Sequence, residues 1–407
     1  MNNQMKTRMI ALGLFGLTGA AVLYYPTLRS AEPGWPVEPI VQDPIPWPDT
    51  GQHPVIEAVF VLDTTGSMGG LIQAAKDKIW SIASTMAAGQ PAPEIRMGLV
   101  AYRDRGDDYV TRVVDLTKDL DSLHGELMQF QAQGGGDGPE SVNQALHEAL
   151  ERIGWSRDPS VYRVIFLVGD APAHMDYPND IPYTQTMAET KRRGIRVNAI
   201  QCGAQPDTAR EWRRIAQLGD GGYFQVEQSG GAVAITTPFD DTLARLSGEL
   251  DATRIYHGKA EERARKGEKL AAEQATKAAA SPAALARRAG FVASESGEAS
   301  LLGDKELVDE VSSGRVDLAD LPSAELPEPL VGLDLETQRH LIAETAAKRK
   351  ELRDRIQDLS AQRAEYLKAE VEAKGGAEAS LDHKILNAVR EQTADKGLRY
   401  EGAAPAY

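Results

Sequence analysis

The chain has 407 residues, a formal net charge of −15 and a single cysteine. That length calls for two or more structural units with ample chain for a core. The acidic balance, with no Lys/Arg-rich stripe interleaved with aromatics, excludes nucleic acid as a partner. The lone Cys202 rules out an internal disulfide framework and a cysteine-based zinc site, and it reads as a small buried apolar residue.

The first predicted element, over residues 1–31, is an export signal or signal-anchor. Lys6 and Arg8 precede an apolar run from Met9 to Tyr25 that Pro26 breaks. The run sits at the short end of the roughly 17 to 25 residues that span a bilayer. Ser30 and Ala31 follow Leu28 and Arg29, where cleavage favours a small residue, so an uncleaved anchor stands beside a cleaved signal. Either form places the rest of the chain outside the cytoplasm, attached to the membrane or free in the periplasm or medium. Residues 32–54 carry seven prolines and read as an extended stalk.

Strand-like runs follow at 55–62, 95–102, 111–116, 161–168, 196–201 and 222–226. Helical patterns at 71–87, 120–131, 141–153, 184–193, 208–218 and 239–250 separate and follow them. This alternation predicts an α/β fold, a doubly wound and mostly parallel sheet over residues 55–250. The run at 111–116 follows an expected hairpin at 104–109 and is placed as an antiparallel edge strand.

Three strand-end loops carry the chemistry. The run Val59-Phe60-Val61-Leu62 ends in Asp63-Thr64-Thr65-Gly66-Ser67, where Asp63, Thr65 and Ser67 alternate and can converge on one point. The second loop is Gly134-Gly135-Gly136-Asp137-Gly138-Pro139-Glu140, directly before a helix. The third is Gly169-Asp170-Ala171-Pro172-Ala173-His174, directly after a strand. Ligands of open α/β sheets bind at this edge. Carboxylate and hydroxyl oxygens with no thiolate suit Mg²⁺, Mn²⁺ or Ca²⁺ rather than zinc.

The order and spacing of the three loops resemble a von Willebrand factor type A domain, whose metal ion-dependent adhesion site draws ligands from three such loops. The resemblance implies a Rossmann-like fold and, residue by residue, metal ligation by Asp63, Thr65, Ser67 and Asp170. The family's threonine is missing here, and either Asp137 or Glu140 takes its place. In this the glycine loop is similar to a bacterial branch of the family associated with alpha-kinases. Thr64, Gly136 and His174, on the same loops, are candidates for touching a ligand; because hard cations prefer oxygen, a surface or capping role is the alternative for His174. The charged segment Arg103–Asp108 reads as a solvated hairpin that could also support the site.

Residues 251–407 read as a mainly helical extension, with an irregular segment at 281–334. Leu352, Ile356, Leu359, Arg363 and Tyr366 form a coiled-coil-like stripe of about two heptads, fit either for packing on the chain's own domain or for self-association. No phosphate loop, catalytic trio or kinase signature is present, so a non-enzyme is expected. The expected function is divalent-cation-dependent binding of a protein at the metal face, with Mg²⁺ first, and attachment to the membrane through the N-terminal segment. The alternatives are an envelope or stress protein whose metal only orders the loops, and a metal-dependent hydrolase.

Overall fold

Strands with buried side chains on both faces need a helical layer on each side, and β1 (Val55–Asp63), β2 (Glu94–Tyr102) and β4 (Tyr162–Gly169) are of this kind. The computed structural model describes residues 54–136, 138–228, 235–374 and 381–400, all within the unit Pro46–Tyr407. The anchor segment and all of the stalk except Pro54 lie outside the described residues. Among those residues, no helix is long and apolar enough to cross a membrane.

With β3 (Thr111–Thr117), β5 (Ile195–Cys202) and β6 (Tyr223–Val226), the sheet has the order β3-β2-β1-β4-β5-β6. Every pairing is parallel except that of β2 with β3, the edge hairpin expected from the sequence. Alternation along β1 divides the core in two. Ile56, Ala58, Phe60 and Leu62 face α1 (Gly69–Ala87), α2 (Leu120–Gln129) and α6 (Asp240–Asp251). Val59 and Val61 face α3 (Val142–Glu151), α4 (Tyr183–Arg192) and α5 (Pro206–Leu218). The chain leaves β1 first towards β2 and later builds β4 on its other side. The carboxyl ends of β1 and β4 thus form the switch-point crevice in which such sheets take ligands.

The extension packs on the α1 and α6 side. It comprises α7 (Ala260–Ala279), α8 (Pro282–Val292), α9 (Glu298–Leu302), α10 (Leu307–Ser312), the forty-residue α11 (Leu335–Lys374) and α12 (Leu381–Gln392). The segment expected to be irregular therefore holds three helices. Ser281 caps α8 by accepting the Ala284 N–H, and Pro282 takes the first turn, where its missing N–H costs nothing.

Arg288 of α8, 1% exposed, binds Asp121 of α2 and Asp251 of α6 and donates to Ser247 Oγ at 2.7 Å. The stripe on α11 packs within the chain, since Leu352 and Ile356 join the α1-side core and Arg363 Nε meets Asp240 Oδ1 at 2.8 Å. Tyr366 ends the stripe with its ring 6.4 Å from that of Phe239. At the opposite end of the sheet, Tyr400 donates to the Met86 carbonyl at 2.7 Å and Arg399 pairs with Gln90.

Candidate metal centre

Asp63 closes β1, and its Oδ1 accepts from the backbone N–H of Thr65 at 2.9 Å and from Thr65 Oγ1 at 2.6 Å. Thr65 Oγ1 in turn stands 3.4 Å from Ser67 Oγ. The alternating triplet thus converges as expected, with Asp63 and Thr65 buried and Ser67 open to solvent. The same alternation turns Thr64 the other way. Its hydroxyl bonds the Tyr102 carbonyl at 2.8 Å and Tyr109 OH at 2.7 Å, and it is wholly buried, so the expectation that Thr64 meets a ligand fails.

The glycine loop lies against this turn through backbone bonds, Gln133 N–H to Thr64 O and Gly66 N–H to Gly134 O, each 3.1 Å. Gly134 and Gly135 have φ of +78° and +77°, and a Cβ on Gly134 would come within 2.3 Å of the Asp107 carboxyl group. Only glycine fits there. Gly136 is exposed, with open space about its Cα among the described residues, and so can face a ligand. Asp137 lies outside the described residues.

Glu140 bridges to the third loop, its N–H donating to Pro172 O at 2.9 Å and its carbonyl accepting from His174 N–H at 3.0 Å. Its carboxylate is buried against the first two loops. A Cβ on Gly135 would stand 3.0 Å from Glu140 Oε1 and 3.1 Å from Thr65 Cβ. Asp170, half-buried beyond β4, accepts at Oδ2 from Gln228 Nε2 at 2.6 Å. Gly169 beside it leaves no room for a side chain, since a Cβ would come 2.6 Å from Tyr102 OH and 2.8 Å from Asp63 Cβ.

His174 is an internal strut, 6% exposed, with Nδ1 2.8 Å from Asp176, Nε2 3.4 Å from Asp104 and its ring stacked on Tyr177 at 4.1 Å. Both ring nitrogens are thus engaged by carboxylates, of its own loop and of the β2–β3 loop. The solvated-hairpin reading of the charged loop holds for Arg105 and Asp108, which are exposed, but not for Arg103 and Asp104, which are buried. Asp104 accepts from Ser141 Oγ at 3.0 Å and from Tyr177 OH at 2.8 and 2.9 Å, while Arg103 donates to Gln131 O at 2.8 Å and stacks on Tyr109. Together they tie the β2–β3 loop to the other two.

The electrostatics are unbalanced. Asp63 Oδ2 and Glu140 Oε2 are buried without a partner among the described residues. Burial, reinforced by Asp170, pushes the Asp63 carboxyl up to about 7 against the hydrogen bonds from Thr65. Burial together with Asp63, Asp104, Asp107 and Asp170 pushes Glu140 up to about 9. Among the described residues no three carboxylate, imidazole or thiolate side chains converge tightly enough to hold an ion by themselves. An ion at this edge would therefore rest on hydroxyls and water as well as carboxylates. The donor set fits a hard divalent cation, which would give the unpartnered oxygens the positive charge they lack.

Residues 57–238 match the family model described as von Willebrand factor A domain. The chain carries a von Willebrand factor A domain. A 97-residue stretch is 39% identical to von Willebrand factor A domain-containing protein 7 of Homo sapiens and 40% identical to that of Mus musculus. Each match covers 24% of this chain and 10% of the relative, so the chain spans about a tenth of the length of these relatives. The solved structure of proximal thread matrix protein 1 from the mussel byssus aligns over 44% of this chain and 43% of its own, with a TM-score of 0.33 and 15% identity, too slight a likeness to build on. Von Willebrand A domains are usually interaction or adhesion modules without enzymatic activity. In this one, sequence reasoning missed Ser141, Asn143 and Tyr177, which brace the loops at the carboxyl edge of the sheet. Asn143 donates to His174 O at 2.7 Å and accepts from Tyr183 N–H at 2.8 Å. Its place in the first turn of α3, three residues after Glu140, was the available signal.

Proposed function

We propose that this von Willebrand A domain binds a protein partner through a divalent cation, Mg²⁺ in the first place and Mn²⁺ or Ca²⁺ as substitutes. Asp63, Thr65 and Ser67 would hold the ion from β1, Asp170 from β4, and Glu140 or Asp137 from the glycine loop. The observation that supports this most directly is the buried, unpartnered Asp63 Oδ2 at the switch point, beside a second unpartnered carboxylate oxygen on Glu140. Such groups are costly unless something meets them. The ion would supply positive charge to these loops and an open coordination position for an oxygen of the partner. On this reading the N-terminal segment exports the domain and, if uncleaved, holds it on the extracytoplasmic side of the membrane on its proline-rich stalk.

The test is capture of a partner from envelope extract by the exported portion, with and without EDTA, using Asp63→Ala as the control. Capture lost with EDTA and with the variant supports the proposal, whereas capture unchanged by both overturns it. A second reading is favoured by the number of carboxylates. Asp63, Asp170 and Glu140 would largely neutralise a divalent ion, leaving it less attractive to an acidic partner. In that case the ion chiefly orders the loops, and EDTA would lower the melting temperature without releasing any partner.

A further inference from the structure

We propose that Gln228, which no motif marks, determines which divalent cation the site prefers; the inference rests on the metal-site reading above. Its amide Nε2 donates to Asp170 Oδ2 at 2.6 Å and lies 4.0 Å from Met68 Sδ. Its Oε1 lies over the bare Cα of Gly203, at φ +75°, where a Cβ would come within 2.4 Å of it. The amide is thus seated by a glycine that leaves space for it.

The consequence lies in how many oxygens each aspartate has left to offer. Asp63 has its Oδ1 taken by two bonds from Thr65 and keeps Oδ2 without a partner among the described residues. Asp170 has its Oδ2 engaged by Gln228. Each carboxylate thus has one oxygen already engaged and would give an ion the other most readily, as Thr65 and Ser67 would give their hydroxyls. Single-oxygen donors completed by water suit Mg²⁺, which demands near-octahedral geometry with short bonds. Ca²⁺ takes six to eight oxygens and gains from carboxylates that give both. Gln228 competes with an ion for the second oxygen of Asp170 and so disfavours that mode.

Calorimetric titration of the full chain with Mg²⁺ alone and with Ca²⁺ alone, for wild type, Gln228→Ala and Gln228→Met, tests this. Gln228 is exposed, and Met keeps its length without the donor, so folding of the variants is checked by their melting curves. Both variants should raise the affinity for Ca²⁺ relative to Mg²⁺ about tenfold, the scale of one hydrogen bond to a charged group. Wild type binding both ions with the same ratio as the variants overturns the role of Gln228 and leaves the metal site standing. Wild type binding neither ion overturns both.

Discussion

Two regions of this molecule bury carboxylates and treat them in opposite ways. Under α8, burial alone would raise Asp121, but the Arg288 guanidinium overrides it and holds the carboxyl well below its usual range, while Lys277 reaches Asp251 at 2.9 Å. At the carboxyl edge of the sheet, no cation side chain reaches Asp63 or Glu140 among the described residues, and both are pushed up. The first region is closed on itself and serves to bind helices together. The second is left short of positive charge among the described residues, the imbalance on which the proposed cation site rests.

The comparison breaks most visibly at Arg288. Arg288→Ala should cost about 3–5 kcal/mol in chemical denaturation, because Asp121 and Asp251 would remain buried beside an empty space. Saturating Mg²⁺, at about 100 times its dissociation constant, should add about 2.7 kcal/mol of stability to wild type, and none to Asp63→Ala. Chelated protein should become less stable as the pH rises. Asp63, carried from 3.8 to about 7 in the fold, keeps its proton over a range where the unfolded chain has lost it. Its stabilising contribution is complete below about pH 4 and disappears towards pH 7, so denaturation at pH 5 and pH 8 should show a fall that Asp63→Asn reduces. The smallest effect is expected from Tyr109→Phe, which removes the bond to Thr64 and should cost about 0.5–1.5 kcal/mol without altering cation binding.

The sheet was legible because its central strands are mostly apolar, with Glu57, Arg96 and Arg163 confined to their first halves, and its helices have apolar faces that repeat on the helical period. The three loops were legible because aspartate, glycine and hydroxyl residues fall at strand ends. Facing direction was harder to read. The alternation that brings Asp63, Thr65 and Ser67 together also turns Thr64 inward, and His174 is pulled under Asp104 by contacts that have no local signal. The inner face of α11 reads as only a short apolar stripe for a related reason. Gln338 and Arg349, before the stripe, and Arg363, within it, occupy buried positions on that face and meet Leu330 O and Leu333 O, Glu306 and Thr253, and Asp240. Hydropathy cannot see a buried arginine whose partner lies on another element.

The bond from Tyr400 to Met86 joins residues 314 positions apart. Trp80, Ile82 and Met86 of α1 share one apolar cluster with Val292 of α8, Ile356 of α11 and Val389 of α12. While the chain is being made, that face of α1 is formed long before its cover exists and must be shielded in the meantime, by a chaperone or by delaying the collapse of the sheet. A fragment ended near residue 250 would keep this face exposed, so what can be cut out and studied alone is larger than the von Willebrand A domain itself.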